Sequence, residues 1–412
     1  MTQSSTATEP RYPRVVVDSD ALDIVRDVLS TLSVATEAGE PDPDLRLVRL
    51  TVELDPDESL DALLAEVRRR IAERNGGWTP AIGKDREASS PMTAGGHSNI
   101  MSFGPGSPVS VGIDGGHSRI MGVGGPAALH GGEPKIMGIS PAKYSDHPAV
   151  SDVGYQVTEV QTTATDDFRP PATGGVRIGW VDTTLAELTV PPGGTAQAWA
   201  GHAAFVRDLI RQVAPTAEEP ILRGVLNREG GRGDLWDVAV AMVDLALREK
   251  VDILLLPLAS YTVDGLPPLL LSRALEAISG SCLIIAAAGN HLAQQEWKRD
   301  RCRTSSAWPA AFPQVRAVGA QLDGSLSPLP AWVDAVTPGA SFEARFFDGP
   351  VHIDDVVGDE EFHGAASWAG TSFSAAHAAG LVAARMTAAG LTAGQAWDAL
   401  LADGESQIVG PR

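Results

Sequence analysis

The sequence predicts an α/β protein with a mostly parallel sheet that helices cover on both faces. Between about residues 176 and 290, continuous apolar runs alternate with amphipathic stretches. Strands buried on both faces read as unbroken apolar runs, and parallel strands need helical crossovers between them. In addition, polar residues stand at or just after the ends of two of these runs, where functional groups gather in open α/β sheets.

The predicted sheet has four strands, and three helices connect and cover them. The strands are expected at 176–182, 220–226, 251–258 and 283–288, and the helices from 202 onward, at 235–248 and at 268–278. Asp182 ends the first strand and Asn290 follows the last one, while His202 and Ser372 begin helices that face the same rim. We therefore expect these four side chains to share one site.

The 412 residues suffice for one large α/β domain and a smaller unit. We predict a small N-terminal α/β domain at 1–84, a flexible linker rich in Gly, Pro and His at 85–171, and a larger domain at 172–412 that contains the four polar residues named above. In the N-terminal domain, strand patterns at 14–17 and 45–54 each precede a stretch with apolar residues at helical spacing.

The predicted linker contains a degenerate repeat, in which a Gly-Gly pair is followed after three residues by an Ile-Met pair. The three pairs are Ile100-Met101, Ile120-Met121 and Ile136-Met137. One interpretation is a linker that grew by duplication. The other is a set of short linear sites for a partner or for the protein's own cleft. A metal site is disfavoured, because His97 and His117 lack a third ligand in the last repeat.

Asp182, His202, Asn290 and Ser372 are the residue types that nucleophilic catalysis requires. A Ser hydroxyl needs an adjacent base to become a nucleophile, and a carboxylate on the other imidazole nitrogen fixes the tautomer of that base. An amide can donate to the oxyanion that forms. Each residue alone has an ordinary explanation as a helix cap or a turn former. The four together, in this order, favour catalysis.

The segments that carry these residues resemble the subtilisin-like serine peptidases, or subtilases, which share the order Asp…His…Ser. The resemblance runs from about Val176 to about Ala389. Its segments are Val176–Thr184, Gly201–Ile210, Cys282–Asn290 and Gly370–Gly380, and those at 308–320 and 333–339 look similar as well.

The resemblance implies that residues 172–412 form a catalytic domain of subtilisin-like fold. It further implies that the protein is a serine endopeptidase with a triad of Asp182, His202 and Ser372 and an oxyanion donor at Asn290. It also implies a substrate-lining segment, formed by Leu256, Pro257, Leu258, Ala259 and Gly289. No cofactor or metal is expected at the site; calcium is left open, although no Asp-rich loop is visible. Many subtilases carry a small α/β pro-domain before the catalytic domain, and the alternative for residues 1–84 is an accessory or partner-binding domain.

The chain departs from the subtilase pattern in three segments. Ala203-Ala204 follow the His where Gly-Thr is usual, Pro257 stands in the substrate-lining run, and Ala376 replaces a Pro. Pro257 has no N–H to offer a peptide that binds as an added strand. We therefore expect restricted specificity, and the alternative is a weak or inactive pseudopeptidase that binds peptides or proteins. The residue order disfavours an esterase or acyltransferase of the α/β-hydrolase type.

Composition limits the partners and the location. The net charge of −20 and the pI near 4.8 argue against nucleic acids and anionic membranes as partners. The N-terminus lacks the pattern of a secretory signal, no run reaches the ~18 apolar residues of a membrane span, and two cysteines make no disulfide framework. We expect a cytoplasmic protein that acts on peptides or proteins and that also cuts its own linker.

Overall fold

The computed structural model describes residues 12–55, 57–89, 112–114, 117–119, 139–141, 175–262, 266–289, 306–321, 332–338, 342–353 and 358–403. The chain forms two units. The first comprises Met1–Arg86 with Pro268–Ala277, and the second comprises Glu87–Pro267 with Ile278–Arg412.

The strands, numbered in chain order, are β1 Arg14–Asp18, β2 Thr36–Ala38, β3 Leu47–Val52, β4 Ile82–Lys84, β5 Glu87–Ser89, β6 Gly112–Asp114, β7 His117–Arg119, β8 Ile139–Pro141, β9 Ile178–Thr183, β10 Ala196–Gln197, β11 Ile221–Leu226, β12 Arg232–Asp234, β13 Ile253–Leu256, β14 Ser260–Tyr261, β15 Leu283–Ala287, β16 Ala307–Trp308, β17 Arg316–Gln321, β18 Ala335–Pro338, β19 Phe342–His352 and β20 Asp359–Trp368. The helices are α1 Leu22–Thr31, α2 Leu60–Arg74, α3 His202–Val213, α4 Leu235–Val243, α5 Leu269–Ala277, α6 Thr371–Ala389 and α7 Ala393–Ala402.

The first unit is built on a four-stranded sheet in the order β2-β3-β1-β4, and all of its pairings are antiparallel. The strand–helix pairs predicted from the sequence are present as β1–α1 and β3–α2. Ser59 caps α2 by accepting a hydrogen bond from the N–H of Ala62. The apolar stripes of the two helices pack with the sheet in one core, which includes Val17, Leu29, Leu50 and Ile71.

The second unit contains a six-stranded parallel sheet in the order β11-β9-β13-β15-β17-β18. The sequence-based prediction of a parallel α/β sheet is confirmed. From β9 the chain moves outward to β11 and then returns to the other side of β9 as β13. The direction therefore switches between β9 and β13, and in such sheets this is the crevice where ligands bind, outside the carboxyl ends of the strands.

Helix α6 lies at the centre of this unit, against α3 and the sheet. Its first ten residues are all buried, and most of them are small, which lets neighbouring backbones approach closely. A Cβ atom added at Gly380 would lie 2.8 Å from the Cβ of Val213 on α3, so glycine sets the spacing of the two helices. The helix ends at Gly390, which is left-handed with φ 65°.

A second sheet of the same unit has the order β10-β19-β20-β8 and centres on the hairpin of β19 and β20. The sequence analysis did not anticipate this hairpin. It also treated residues 85–171 as one flexible linker, whereas the described residues of that segment from Glu87 onward form the strands β5 to β8. Strands of three residues are too short to show a period of two in the sequence. Within the described ranges, no helix is both long and apolar enough to cross a membrane.

Candidate active site

Asp182 lies near the carboxyl end of β9, beside the crevice of the parallel sheet, and its side chain is fully buried. Its Oδ1 accepts a hydrogen bond from the N–H of Thr183 at 2.6 Å. The Nδ1 atom of His202 lies 2.8 Å from Oδ1 and 2.9 Å from Oδ2. Because a carboxylate can only accept, Nδ1 carries the proton and Nε2 is directed away from Asp182.

His202 is the first residue of α3, and it too is fully buried. The residue before it has to be glycine, because a Cβ at Gly201 would lie 2.2 Å from the ring of Phe346. The imidazole meets the ring of Trp368 edge-on, with centroids 5.6 Å apart at 90°, and the ring of Phe373 at 5.3 Å. These contacts fix the ring plane, since side chains in a close-packed core have little room to turn.

Ser372 is the second residue of α6, where backbone N–H groups lack partners within the helix and the dipole favours negative charge. The chain enters this helix through Gly370, whose φ of 152° and ψ of 160° belong to a region that is essentially restricted to glycine. The side chain of Ser372 is buried. Its hydroxyl donates a hydrogen bond of 3.1 Å to the carbonyl of Pro257.

The structure brings Ser372 to the segment that was predicted to line the substrate. Leu256 ends β13, and the side chains of Leu256, Leu258 and Ala259 are all buried. Any contact that these three residues make with a peptide would therefore run through their backbone. The role of this segment in substrate binding stays a prediction.

The predicted oxyanion donor Asn290 lies outside the described residues. The residue before it, Gly289, follows β15 with φ 92°, a value that favours glycine. β15 lies next to β13 in the parallel sheet. The role of Asn290 stays a prediction that rests on the sequence.

The sequence analysis missed the aromatic side chains around the imidazole. Besides Trp368 and Phe373, Trp199 lies with its ring centroid 6.1 Å from that of His202. All three are buried. A signal was available, because two of them closely flank the Gly370-Thr371-Ser372 motif in the sequence, but their spacing follows no helical or strand period.

A further buried imidazole, His377, lies one and a half turns after Ser372 on α6. Burial lowers its pKa to about 4, because a charged ring would lose its hydration there. Its ring packs against Phe342, with centroids 5.4 Å apart. Among the residues that the structure covers, no group of three or more His, Cys, Asp or Glu side chains could hold a metal ion.

The second unit thus combines a parallel sheet, a buried carboxylate–imidazole pair at the crevice of this sheet, and a buried serine at the start of the central helix α6. A family model described as the subtilase family matches residues 194–401, which is just over half of the chain. The chain belongs to the subtilase family and is a serine-type endopeptidase by that membership. The matched segment contains His202 and Ser372, whereas Asp182 precedes it.

Solved structures that resemble this chain include three proteases. A lanthipeptide protease shares 17% identity over 57% of this chain and 85% of its own, with a TM-score of 0.41. Fervidolysin from Fervidobacterium pennivorans, a keratinolytic enzyme related to subtilisin, shares 12% identity over 94% of this chain and 56% of its own, with a TM-score of 0.49. The prenylagaramide maturation protease PagA shares 18% identity over 52% of this chain and 77% of its own, with a TM-score of 0.37. No curated protein matches the sequence.

Proposed function

We propose that this subtilase hydrolyses peptide bonds of a restricted set of peptides or proteins, with Ser372 as nucleophile, His202 as general base and Asp182 as its orienting carboxylate. The observation that carries the proposal is the buried contact of Nδ1 of His202 with both carboxylate oxygens of Asp182, at 2.8 and 2.9 Å. This contact holds the imidazole in the tautomer whose Nε2 can accept a proton.

In the proposed reaction, the hydroxyl of Ser372 leaves the carbonyl of Pro257 and attacks the scissile carbonyl carbon, while its proton moves to Nε2 of His202. The imidazolium then gives this proton to the leaving amine. The carboxylate of Asp182 stabilises the imidazolium without taking up the proton. Water repeats the same steps on the acyl-enzyme and releases the product.

The negative charge of the tetrahedral intermediate requires donors. We assign that role to the side chain of Asn290 and to the backbone N–H of Ser372, which belongs to the first turn of α6. Such donors act mainly in the transition state, because the oxyanion exists only along the reaction path.

The restricted specificity follows from the run after β13. A peptide that binds as an added strand relies on backbone donors, and Pro257 has none. The buried side chains of Leu258 and Ala259 leave only their backbone to contact a peptide.

The second candidate function is a pseudopeptidase that binds peptide segments without turnover. It is favoured by the hydrogen bond that engages the Ser372 hydroxyl at Pro257 and by the full burial of this side chain. A fluorophosphonate probe separates the two functions, because it labels only a serine that an adjacent base activates. We expect labelling of the wild-type chain and none of Ser372→Ala. A folded wild-type chain that stays unlabelled would identify the pseudopeptidase.

We also propose that the enzyme cuts its own linker after one or more of Met101, Met121 and Met137, which lie outside the described residues. A segment tethered to its own active site can reach a millimolar effective concentration, so that even a poor site is cut. A cytoplasmic location likewise stays a prediction.

A further inference from the structure

The edge of the sheet that leads to Ser372 is occupied by a strand of the chain's own linker. β8 is paired with the end of β20 in an antiparallel register, with Ile139 opposite Trp368, Ser140 opposite Ser367 and Pro141 opposite Ala366. β19 is paired with the other side of β20, so that β8 is the outermost strand. Because added strands bind through main-chain hydrogen bonds, such an edge accepts extended peptides of many sequences.

The register gives this edge a position relative to the nucleophile. β20 ends at Trp368, four residues before Ser372, and continues into α6 through Gly370. In an antiparallel strand on this edge, the N-terminal end is the one nearer to Ser372, and the chain then runs away from Ser372 toward its C-terminal end. In a bound peptide, the residues opposite Ala366–Trp368 would therefore follow the scissile bond and belong to the leaving group.

Trp368 connects this edge to the catalytic imidazole. Its backbone is paired with β8, and its indole ring stands edge-on to His202 at 5.6 Å. A strand on this edge is therefore separated from the proposed base by the side chain of Trp368. The side chains of Asp182, His202 and Ser372 are all 0% exposed in this arrangement.

The start of the same linker is also paired with the catalytic unit. β5 is antiparallel to β12, with Ala88 opposite Gly233, and it comes within 8 Å of β14. β14 begins three residues after Pro257, whose carbonyl binds the Ser372 hydroxyl. Described parts of the linker are thus paired in two places. One is β20, which leads into α6, and the other is close to the run that contains Pro257, whose carbonyl binds the Ser372 hydroxyl.

We propose that Ile139–Pro141 is a built-in occupant of the edge Ala366–Trp368, and that it competes there with the leaving-group side of peptide substrates. This inference rests on the proposed function in taking peptides as the ligands and Ser372 as the residue that attacks the scissile bond. The pairing is short, because Pro141 has no N–H to continue it. It is intramolecular, and the tether raises its effective concentration. A longer peptide can displace such an occupant, whereas a peptide that ends at the scissile bond never meets it.

The test weakens the pairing of β8 with β20 by substitution. It then compares the binding of two peptides that share the residues before the scissile bond, of which only one continues beyond it. Successive N–H groups of a strand point to opposite sides, so that one of the two residues Ile139 and Ser140 donates to β20. One of the variants Ile139→Pro and Ser140→Pro therefore removes that donor. Ser102→Pro, in the linker but outside the described strands, is the matched control. The probes are labelled peptides that copy residues 134–141 and 134–137 of the chain, and their binding to each variant is measured by fluorescence anisotropy in a Ser372→Ala background.

We expect one of the β8 variants to bind the 134–141 peptide severalfold more tightly than the control, with no change for the 134–137 peptide. An equal gain in affinity for both peptides would mean general loosening of the fold. No gain in affinity for either peptide would show that Ile139–Pro141 does not compete for this edge. Either result overturns the inference. Circular dichroism identifies a variant that fails to fold, and the other variant then decides.

A second measurement separates this inference from the proposed function. With Ser372 present, the same variants are assayed on the 134–141 sequence as an internally quenched substrate and on 134–137 as a p-nitroanilide. We expect a lower KM for the longer substrate alone. If neither substrate is cut by any variant, the proposed function fails while the binding comparison still decides on the occupant.

Discussion

At Ser372, one hydroxyl has an observed partner and a proposed one. In the structure it donates to the carbonyl of Pro257, whereas the proposed reaction requires it to turn toward Nε2 of His202. A neutral hydrogen bond contributes about 1 kcal/mol, so the switch is small compared with a reaction barrier. The imidazole has no such freedom, because Asp182 and three aromatic rings hold it in place.

The first prediction concerns the triad as a unit. We expect Ser372→Ala and His202→Ala each to lower kcat by about 10⁶-fold, the order found for subtilisin, and the double variant to lose no more. The reason is that the base acts by taking the proton of the Ser372 hydroxyl, so that neither residue contributes without the other. Ser374→Ala, which changes a buried serine two residues further along α6, is the control. Steady-state hydrolysis checks it, and a His202→Ala variant that keeps most of its activity would show that another base operates.

The second prediction concerns Asn290. We expect Asn290→Ala to lower kcat by about 10²–10³-fold with little change in KM, because an oxyanion donor binds the transition state more tightly than the substrate. Separate determination of kcat and KM on one peptide substrate checks it. A variant in which only KM changes would instead make Asn290 a residue of substrate binding.

At the scale of elements, the contact of α3 with α6 sets the distance between the helices that carry His202 and Ser372. We expect Gly380→Ala to destabilise the fold by about 1–3 kcal/mol, because the new methyl group would lie 2.8 Å from the Cβ of Val213. Chemical denaturation measures the change. The double variant Gly380→Ala/Val213→Ala should recover part of the loss, and a Gly380→Ala protein of wild-type stability would show that the helices can separate freely.

Helix α6 also carries a group that makes stability depend on pH. Burial lowers the pKa of His377 from 6.5 to about 4, so between these values the unfolded chain binds more protons than the folded one. The folded state therefore loses stability as pH falls from 6.5 to 4, by about 3 kcal/mol in total. We expect His377→Phe to show a flatter dependence of unfolding free energy on pH in this window. Parallel curves for both proteins would exclude the contribution of His377.

The sequence predicts best those elements whose burial imposes a period. The apolar runs at β9, β13 and β15 and the amphipathic helix after His202 are found within two or three residues of their predicted bounds. The hairpin of β19 and β20 was missed, since its burial alternates irregularly around a bulge between Arg345 and Asp348. At the site, family motifs indicated the charged and polar members, but the aromatic rings around His202 come together only through tertiary packing.

At the scale of the whole molecule, the predicted linker at 85–171 is the part of the chain that the parallel sheet does not explain. It holds three Ile-Met pairs, and its Gly and Pro content predicts little compact structure. Such segments are where proteolytic nicking concentrates. The described strands β5 and β8 pair with other strands of the second unit, and in the sequence the three Ile-Met pairs lie between these two points of attachment.

The last prediction is that the wild-type chain cleaves this segment after one or more of Met101, Met121 and Met137. Many subtilases accept an apolar residue before the scissile bond, and the tether supplies an effective concentration that can reach about 1 mM. We expect intact-mass analysis to find the cut fragments in wild type and only the full chain in Ser372→Ala. Replacing the three methionines by Asp should block the cuts while leaving hydrolysis of added peptides intact. A wild-type chain that stays whole while it cuts added peptides would leave the repeats as a linker or as docking sites for another protein.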